Sequence, residues 1–226
     1  MATDTDLCNL SLLKLGGAGD QTTGVGLITD INGTDKISKQ CKTLLPECRK
    51  RAISDLANID CPFRETIKYA DLGGEIADAS LPEIGQYEYA FSIPADCLAM
   101  VAQINEDSLG NSVSPRIKYR YEIIANKNKN GRILLTNDLS NTDEDSAFIE
   151  YVIDIVNPAG FSQALKDCVV ILLAAELWIV GKDEKLKQQL LIEYEQLVKP
   201  NAKRFNQSQG NNYEKPKPEN YKGGRQ

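Results

Sequence analysis

The feature that most limits what this chain can fold into is a change in the spacing of its apolar residues. Over residues 4–59 and again over 161–198, apolar side chains recur every three or four positions, which predicts amphipathic helices. Between residues 85 and 156 they alternate with polar side chains, which predicts strands. This order indicates an α+β fold in which N- and C-terminal helices form one bundle and a small antiparallel β domain is inserted between them.

The N-terminal part contains two predicted helices. Thr3 or Asp4 can cap the first, which stops at Gly16-Gly17. The second begins at Thr34, and Pro46 inside it predicts a kink. The apolar stripe of the second helix comprises Ile37, Cys41, Leu44, Leu45, Cys48, Ala52, Leu56 and Ile59.

Two further helices are predicted in the last third, with Gly181 ending the first and making them antiparallel neighbours. The first stripe comprises Phe161, Leu165, Cys168, Val169, Leu172, Ala175 and Ile179. The second comprises Leu186, Leu190, Tyr194, Leu197 and Val198, and stops at Pro200.

The middle of the chain predicts one small sheet of about five strands. The segments are "YEYAFSIP", "AMVAQIN", "RIKYRYEIIA", "RILLTND" and "AFIEYVID", and Asn130-Gly131 between the third and fourth is a hairpin signal. The resulting division is an N-terminal bundle part at 1–62, a connecting loop at 63–86, an antiparallel β domain at 87–156, a C-terminal bundle part at 157–205, and an extended tail at 206–226.

Composition excludes several kinds of chemistry. The chain has no histidine, which removes Ser-His-Asp and Cys-His nucleophiles. Its six cysteines form no C-x-x-C pair, so free buried thiols are expected and no metal site is predicted. The glycines between Gly16 and Gly33 lack the Lys-Ser/Thr of a phosphate loop, and no cofactor is predicted. No basic segment precedes the first apolar residues, so we expect synthesis in the cytoplasm.

The final segment is polar and rich in Gly, Asn and Pro, so it cannot form a core. The net charge of the chain is −6. From Lys203 onward six basic and two acidic residues give +4, which leaves −10 for the residues before it. An acidic body therefore precedes a basic tail.

The order of elements resembles that of the head-to-tail adaptors of short-tailed bacteriophages, the connector or tail tubular A type. A strand motif ending in P-x-D-C-L and a junction into the last helices carry the resemblance. The matching positions are Tyr89, Pro94, Asp96, Cys97, Leu98, Tyr151, Pro158, Phe161, Leu173 and Ala174, with Asn157 in place of the usual Asp. Cys61-Pro62-Phe63 stands near the family's proline-aromatic motif without its tryptophan, and 64–86 matches no family pattern.

This resemblance implies a non-enzymatic virion protein of the phage neck or tail. Family members form a ring of twelve copies between the portal protein and the tail tube or nozzle, and DNA passes through the ring without specific binding. The resemblance also implies that the tail docks on the portal. The candidate docking residues are Tyr213, Lys215, Pro216, Lys217, Pro218, Tyr221, Lys222 and Arg225.

Two other functions stay open at the level of sequence. A cell-wall-degrading glycosidase would need a facing carboxylate pair, although no pair stands out. A nucleic-acid binding module would use aromatic residues on strands, either Tyr87, Tyr89 and Phe91 or the basic and aromatic residues of "RIKYRYE". An open sheet face would favour the nucleic-acid module.

Overall fold

Helices and strands follow one another as the apolar spacing predicts, with one additional strand. A computed structural model describes residues 2–16, 26–73, 87–104, 121–125, 131–137, 147–177 and 184–208. The helices are α1 (Asp4–Lys14), α2 (Lys36–Ala57), α3 (Gln163–Glu176), α4 (Glu184–Glu193) and α5 (Lys199–Ser208). The strands are β1 (Ile67–Leu72), β2 (Tyr89–Ser92), β3 (Cys97–Ile104), β4 (Tyr121–Ala125), β5 (Arg132–Thr136) and β6 (Ala147–Ile153). The α+β class is confirmed.

Helix α1 begins with a reciprocal cap. The Thr3 hydroxyl accepts a hydrogen bond from the amide of Asp6 at 3.2 Å, and the Asp6 carboxylate accepts one from the amide of Thr3 at 2.8 Å. After the last turn, Gly16 adopts φ 86°, a left-handed conformation that suits glycine. Both ends of α1 therefore lie where the sequence predicts.

Helix α2 starts at Lys36, with Asp35 as its N-cap, and continues through Pro46 as one helix. Pro46 leaves the carbonyl of Lys42 without its usual donor. Lys42 is exposed, so water can hydrate that carbonyl.

The buried face of α2 agrees with the predicted stripe at most positions. Cys41, Leu45, Cys48, Ala52 and Leu56 are buried as expected. The prediction was wrong at Ile37 and Leu44, which are half-buried, and at Ile59, which is exposed. Ile59 follows the end of the helix at Ala57, where helical spacing no longer sets which way a residue faces.

Helix α3 is central to the packing of the other helices. Every residue from Cys168 to Ala175 is buried, and α3 contacts α1, α2, α4 and α5. The predicted stripe is confirmed from Phe161 to Ala175. Ile179 and Gly181 lie outside the described residues.

The helix after α4 does not stop at Pro200. A π-helical turn, Tyr194–Val198, joins α4 to α5, and α5 continues to Ser208. Leu197, predicted to lie on the buried stripe, is 54% exposed instead. Asn206, placed at the start of the extended tail by the sequence, is helical and buried. The extra residue in the π turn changes the phase of the helix, which spacing in the sequence does not reveal.

The predicted single sheet is wrong, because the described strands form two sheets of three. One has the order β2-β5-β4, with β5 antiparallel to both neighbours, and pairs Phe91 with Leu134 and Ile123 with Leu134. The other has the order β1-β6-β3. Strand β1 lies in the segment predicted as a connecting loop. Only Leu72 of β1 is buried. Because buried and exposed side chains do not alternate along β1, the sequence did not predict it as a strand.

The chain divides into two compact units. Residues 1–67 and 152–211 form the first, called the helical unit here, and residues 68–151 belong to the second, the sheet unit. The N-terminal helices α1 and α2 and the C-terminal helices α3, α4 and α5 therefore belong to the same unit.

Candidate interaction sites

The docking residues predicted on the tail lie outside the described part of the chain. They are Tyr213, Lys215, Pro216, Lys217, Pro218, Tyr221, Lys222 and Arg225. The positions that carry the family resemblance are described, and they fall into two groups.

The first group meets at Asp96 in the sheet unit. The Asp96 carboxylate pairs with Lys68 Nζ at 3.1 Å and accepts a long hydrogen bond of 3.5 Å from the hydroxyl of Tyr151. Burial raises the pKa of Tyr151, and the negative charge of Asp96 raises it further. Asp96 thereby ties the turn before β3 to β1 and β6.

The residues after Asp96 are held by an arginine from another strand. The Arg132 guanidinium donates to the carbonyl of Cys97 in a short contact and to the carbonyl of Leu98 at 3.4 Å. The Cys97 thiol is buried, and this burial raises its pKa, so it stays protonated at neutral pH. Pro94 precedes this turn and Tyr89 is half-buried on β2. The P-x-D-C-L residues therefore have a structural role here, because their contacts connect the start of β3 to other strands of the sheet unit.

The second group marks the start of α3. Asn157 Oδ1 accepts from the amide of Ala159 at 3.0 Å, and Pro158 begins a 3₁₀ turn. Phe161 is buried. Ser162 then caps α3, while its own amide donates to Glu65 Oε1 at 2.8 Å. An aspartate at position 157 would accept the same bond, so Asn157 preserves the turn.

A buried ion pair holds the helical unit together. Arg49 Nε and Nη2 donate to the two carboxylate oxygens of Asp154 at 2.5 and 2.8 Å. The pKa of Arg49 is raised by this hydrogen bonding. Arg49 also affects Asp4. Burial raises the pKa of Asp4, and the positive charge of Arg49 partly offsets this rise. Sequence reasoning missed this pair, because nothing in the spacing of Arg49 and Asp154 relates them.

All six cysteines are buried and free. Burial raises the pKa of Cys48 and of Cys168 to about 12. A hydrogen bond with Cys41, together with burial, raises the pKa of Cys8. In the residues that the structure describes, no three cysteine, aspartate or glutamate side chains come together to hold a metal ion. The expectation of free buried thiols is confirmed.

Exposed aliphatic residues of the helical unit form a candidate contact surface. Leu10 and Leu13 on α1 and Ile192 on α4 are each roughly half exposed. Lys14 Nζ, next to Leu13, pairs with Glu193 Oε1, next to Ile192, at 3.1 Å. This ion pair links α1 to α4, and we name Leu10, Leu13 and Ile192 the α1–α4 face. Several large exposed apolar residues on one part of a surface are typical of a contact with another protein.

The strand that offered a stacking platform is packed. Phe91 is fully buried, and Tyr87 packs on a core of Ala90, Ile133 and Leu135. Phe91 therefore cannot stack on a nucleic-acid base. Of the alternative segment, Arg116 to Arg120 lie outside the described residues.

Within the described parts of the chain, no helix is both long and apolar enough to span a bilayer. The chain matches no protein-family model, and no curated protein matches it significantly.

Proposed function

We propose that the chain is a structural protein of a short-tailed phage particle, a head-to-tail adaptor that assembles as a ring, of twelve copies, between the portal and the tail tube or nozzle. The observation that carries this proposal is that the N-terminal and the C-terminal helices belong to one helical unit, while residues 68–151 belong to a separate sheet unit. The adaptor resemblance implies the same arrangement.

The contact between Asp96 and Tyr151 supports the proposal. These residues come from two separate pieces of the resemblance, 55 positions apart, and their side chains meet at 3.5 Å. Residues that match a family by chance have no reason to meet in the fold. Both have a structural role here, which suits a non-enzymatic protein.

The charge distribution also supports it. The body carries −10 before Lys203, and a channel of negative charge repels phosphate, so DNA would pass without sticking. The tail at 206–226 carries +2, and Lys203 and Arg204 just before it add two further positive charges, which suits an acidic docking surface on the portal. A polar segment of this kind can cover a large partner surface at modest affinity.

The test is sedimentation of the purified protein with the portal ring encoded in the same genome. Full-length chain and a truncation after Ser208 are compared, because Asn206 packs in the helical unit and a shorter truncation would disturb the fold. We expect full-length protein to join the portal in many copies and the truncation to stay free. A second variant tests the contribution of charge to binding. It changes the four basic candidates Lys215, Lys217, Lys222 and Arg225 to Gln, and it should bind the portal more weakly, with a smaller dependence on salt than full-length protein.

A second arm tests contact between copies on the α1–α4 face. Leu10→Ser and Leu13→Ser should reduce ring formation on the portal without changing the unfolding midpoint, since both side chains are already half exposed. Lys50→Ser, an exposed change on α2, is the control. Failure of full-length chain to bind the portal, together with activity on cell wall or retention on DNA, would reject the adaptor function.

A further inference from the structure

The π turn at Tyr194–Val198 contains one residue more than an α-helical turn. The buried face of α5 is therefore shifted by one residue relative to that of α4. The amide of Lys199 donates to the carbonyl of Tyr194, five residues back. Tyr194 is fully buried, and the next fully buried positions are Ala202 and Asn206, eight and twelve residues on. In an uninterrupted α-helix the positions best aligned with Tyr194 are seven and eleven residues on, at Asn201 and Phe205.

The observed register leaves apolar side chains outside and a polar one inside. Leu197 lies three residues after buried Tyr194, a spacing that shares one face in an α-helix, yet it is 54% exposed. Phe205 is only half-buried, whereas its neighbour Asn206 is buried. By burial of apolar surface alone, the α register would be the better one.

Specific polar contacts hold the observed register instead. The buried hydroxyl of Tyr194 donates to Asp55 Oδ2 at 2.9 Å, and Asn206 Nδ2 donates to the carbonyl of Cys61 at 3.0 Å. Pro200 has no amide hydrogen and would clash with the carbonyl four residues back in a regular α-helix, which the π turn relieves. Two sets of interactions in one sequence thus favour two different registers.

We propose that residues 194–208 form a two-register helix, a conformational switch built into the helical unit. In the second register the π turn becomes α-helical, Leu197 and Phe205 turn inward, and Asn206 leaves Cys61. One residue corresponds to about 100° of rotation, so the end of α5 at Ser208 turns by that angle. A partner that covers Leu197 stabilises the π register, and loss of the polar contacts stabilises the α register.

The switch is tested in the full chain by ¹⁵N relaxation dispersion of the backbone amides of Lys199 and of residues 201–208. We expect these amides to exchange together between two states. Pro200→Ala removes the main obstacle to the α register and should raise its population more than about tenfold. Leu197→Ser removes the apolar gain of that register and should lower its population about fivefold.

Controls separate the switch from fraying of the helix end. Gln196→Ala changes an exposed residue of the π turn that takes part in neither set of contacts, so it should leave the exchange unchanged. Exchange that is equal in wild type and Leu197→Ser would mean fraying and would overturn the proposal. Absence of exchange in both wild type and Pro200→Ala would overturn it as well, since the π turn would then be a fixed accommodation of the proline.

Discussion

Replacing Arg49 by alanine should destabilise the helical unit more than any other single change of a charged residue in α2. The guanidinium makes two hydrogen bonds to Asp154, and the two side chains are 6% and 20% exposed. Removing one partner of a buried pair costs about 3–5 kcal/mol, because the other charge stays buried without compensation. Water reaches part of Asp154, so we expect a loss of about 2–3 kcal/mol.

The measurement is urea unfolding followed by circular dichroism at neutral pH, for wild type, Arg49→Ala, Asp154→Asn and the double variant. The double variant should lose less than the sum of the two single changes, because each single change leaves an unpaired group. We expect a coupling energy of about 1–3 kcal/mol.

Arg51→Ala is the matched control on the same helix. Arg51 is nearly half exposed and reaches Asp55 and Glu176 only at 3.8 and 3.9 Å. Such surface pairs contribute about 0–1 kcal/mol. If Arg49→Ala costs no more than Arg51→Ala, the ion pair does not stabilise the fold as argued.

Three further outcomes follow from other contacts. The buried Ser11 hydroxyl donates to the carbonyl of Val170 at 3.0 Å between α1 and α3, so Ser11→Ala should cost about 1 kcal/mol and Ser11→Leu about 1–3 kcal/mol by overpacking, as measured by urea unfolding. Hydrogen bonds from the Ser38 hydroxyl and amide lower the pKa of Asp35 below 3.8, so its capping contribution is present above pH 3.8 and lost as pH falls through the lower folded value. Asp35→Asn should therefore lose less stability than wild type between pH 6 and about pH 2.5, and equal losses would contradict this assignment. All six buried thiols should stay unreactive toward a thiol reagent in native protein and react in denaturant, whereas fast labelling of the native chain would show that the cysteines are accessible.

Some residues of the candidate sites could be named from the sequence, whereas the contacts between them could not. The motif positions Asp96 and Tyr151 were named from resemblance, but their contact needed the fold, because the pairing of β1, β6 and β3 brings them together. The sequence did not predict the ion pair of Arg49 and Asp154, because a charged residue in a helix is normally exposed and the two residues lie 105 positions apart. A buried arginine at a position between stripe residues is visible only once the neighbouring helices are in place.

The sequence alone determined the type and order of nearly every element and the N-cap of α1. Thr3 caps α1 within one helical turn, and apolar spacing is a local property, so both can be read without knowing the fold. Tertiary structure decided the rest. It divided the strands into two sheets, recruited β1 to one of them, and turned Leu197 outward through the π turn. The physical reason is that strand partners and the phase of a helix depend on contacts between residues far apart in the chain, which local spacing does not encode.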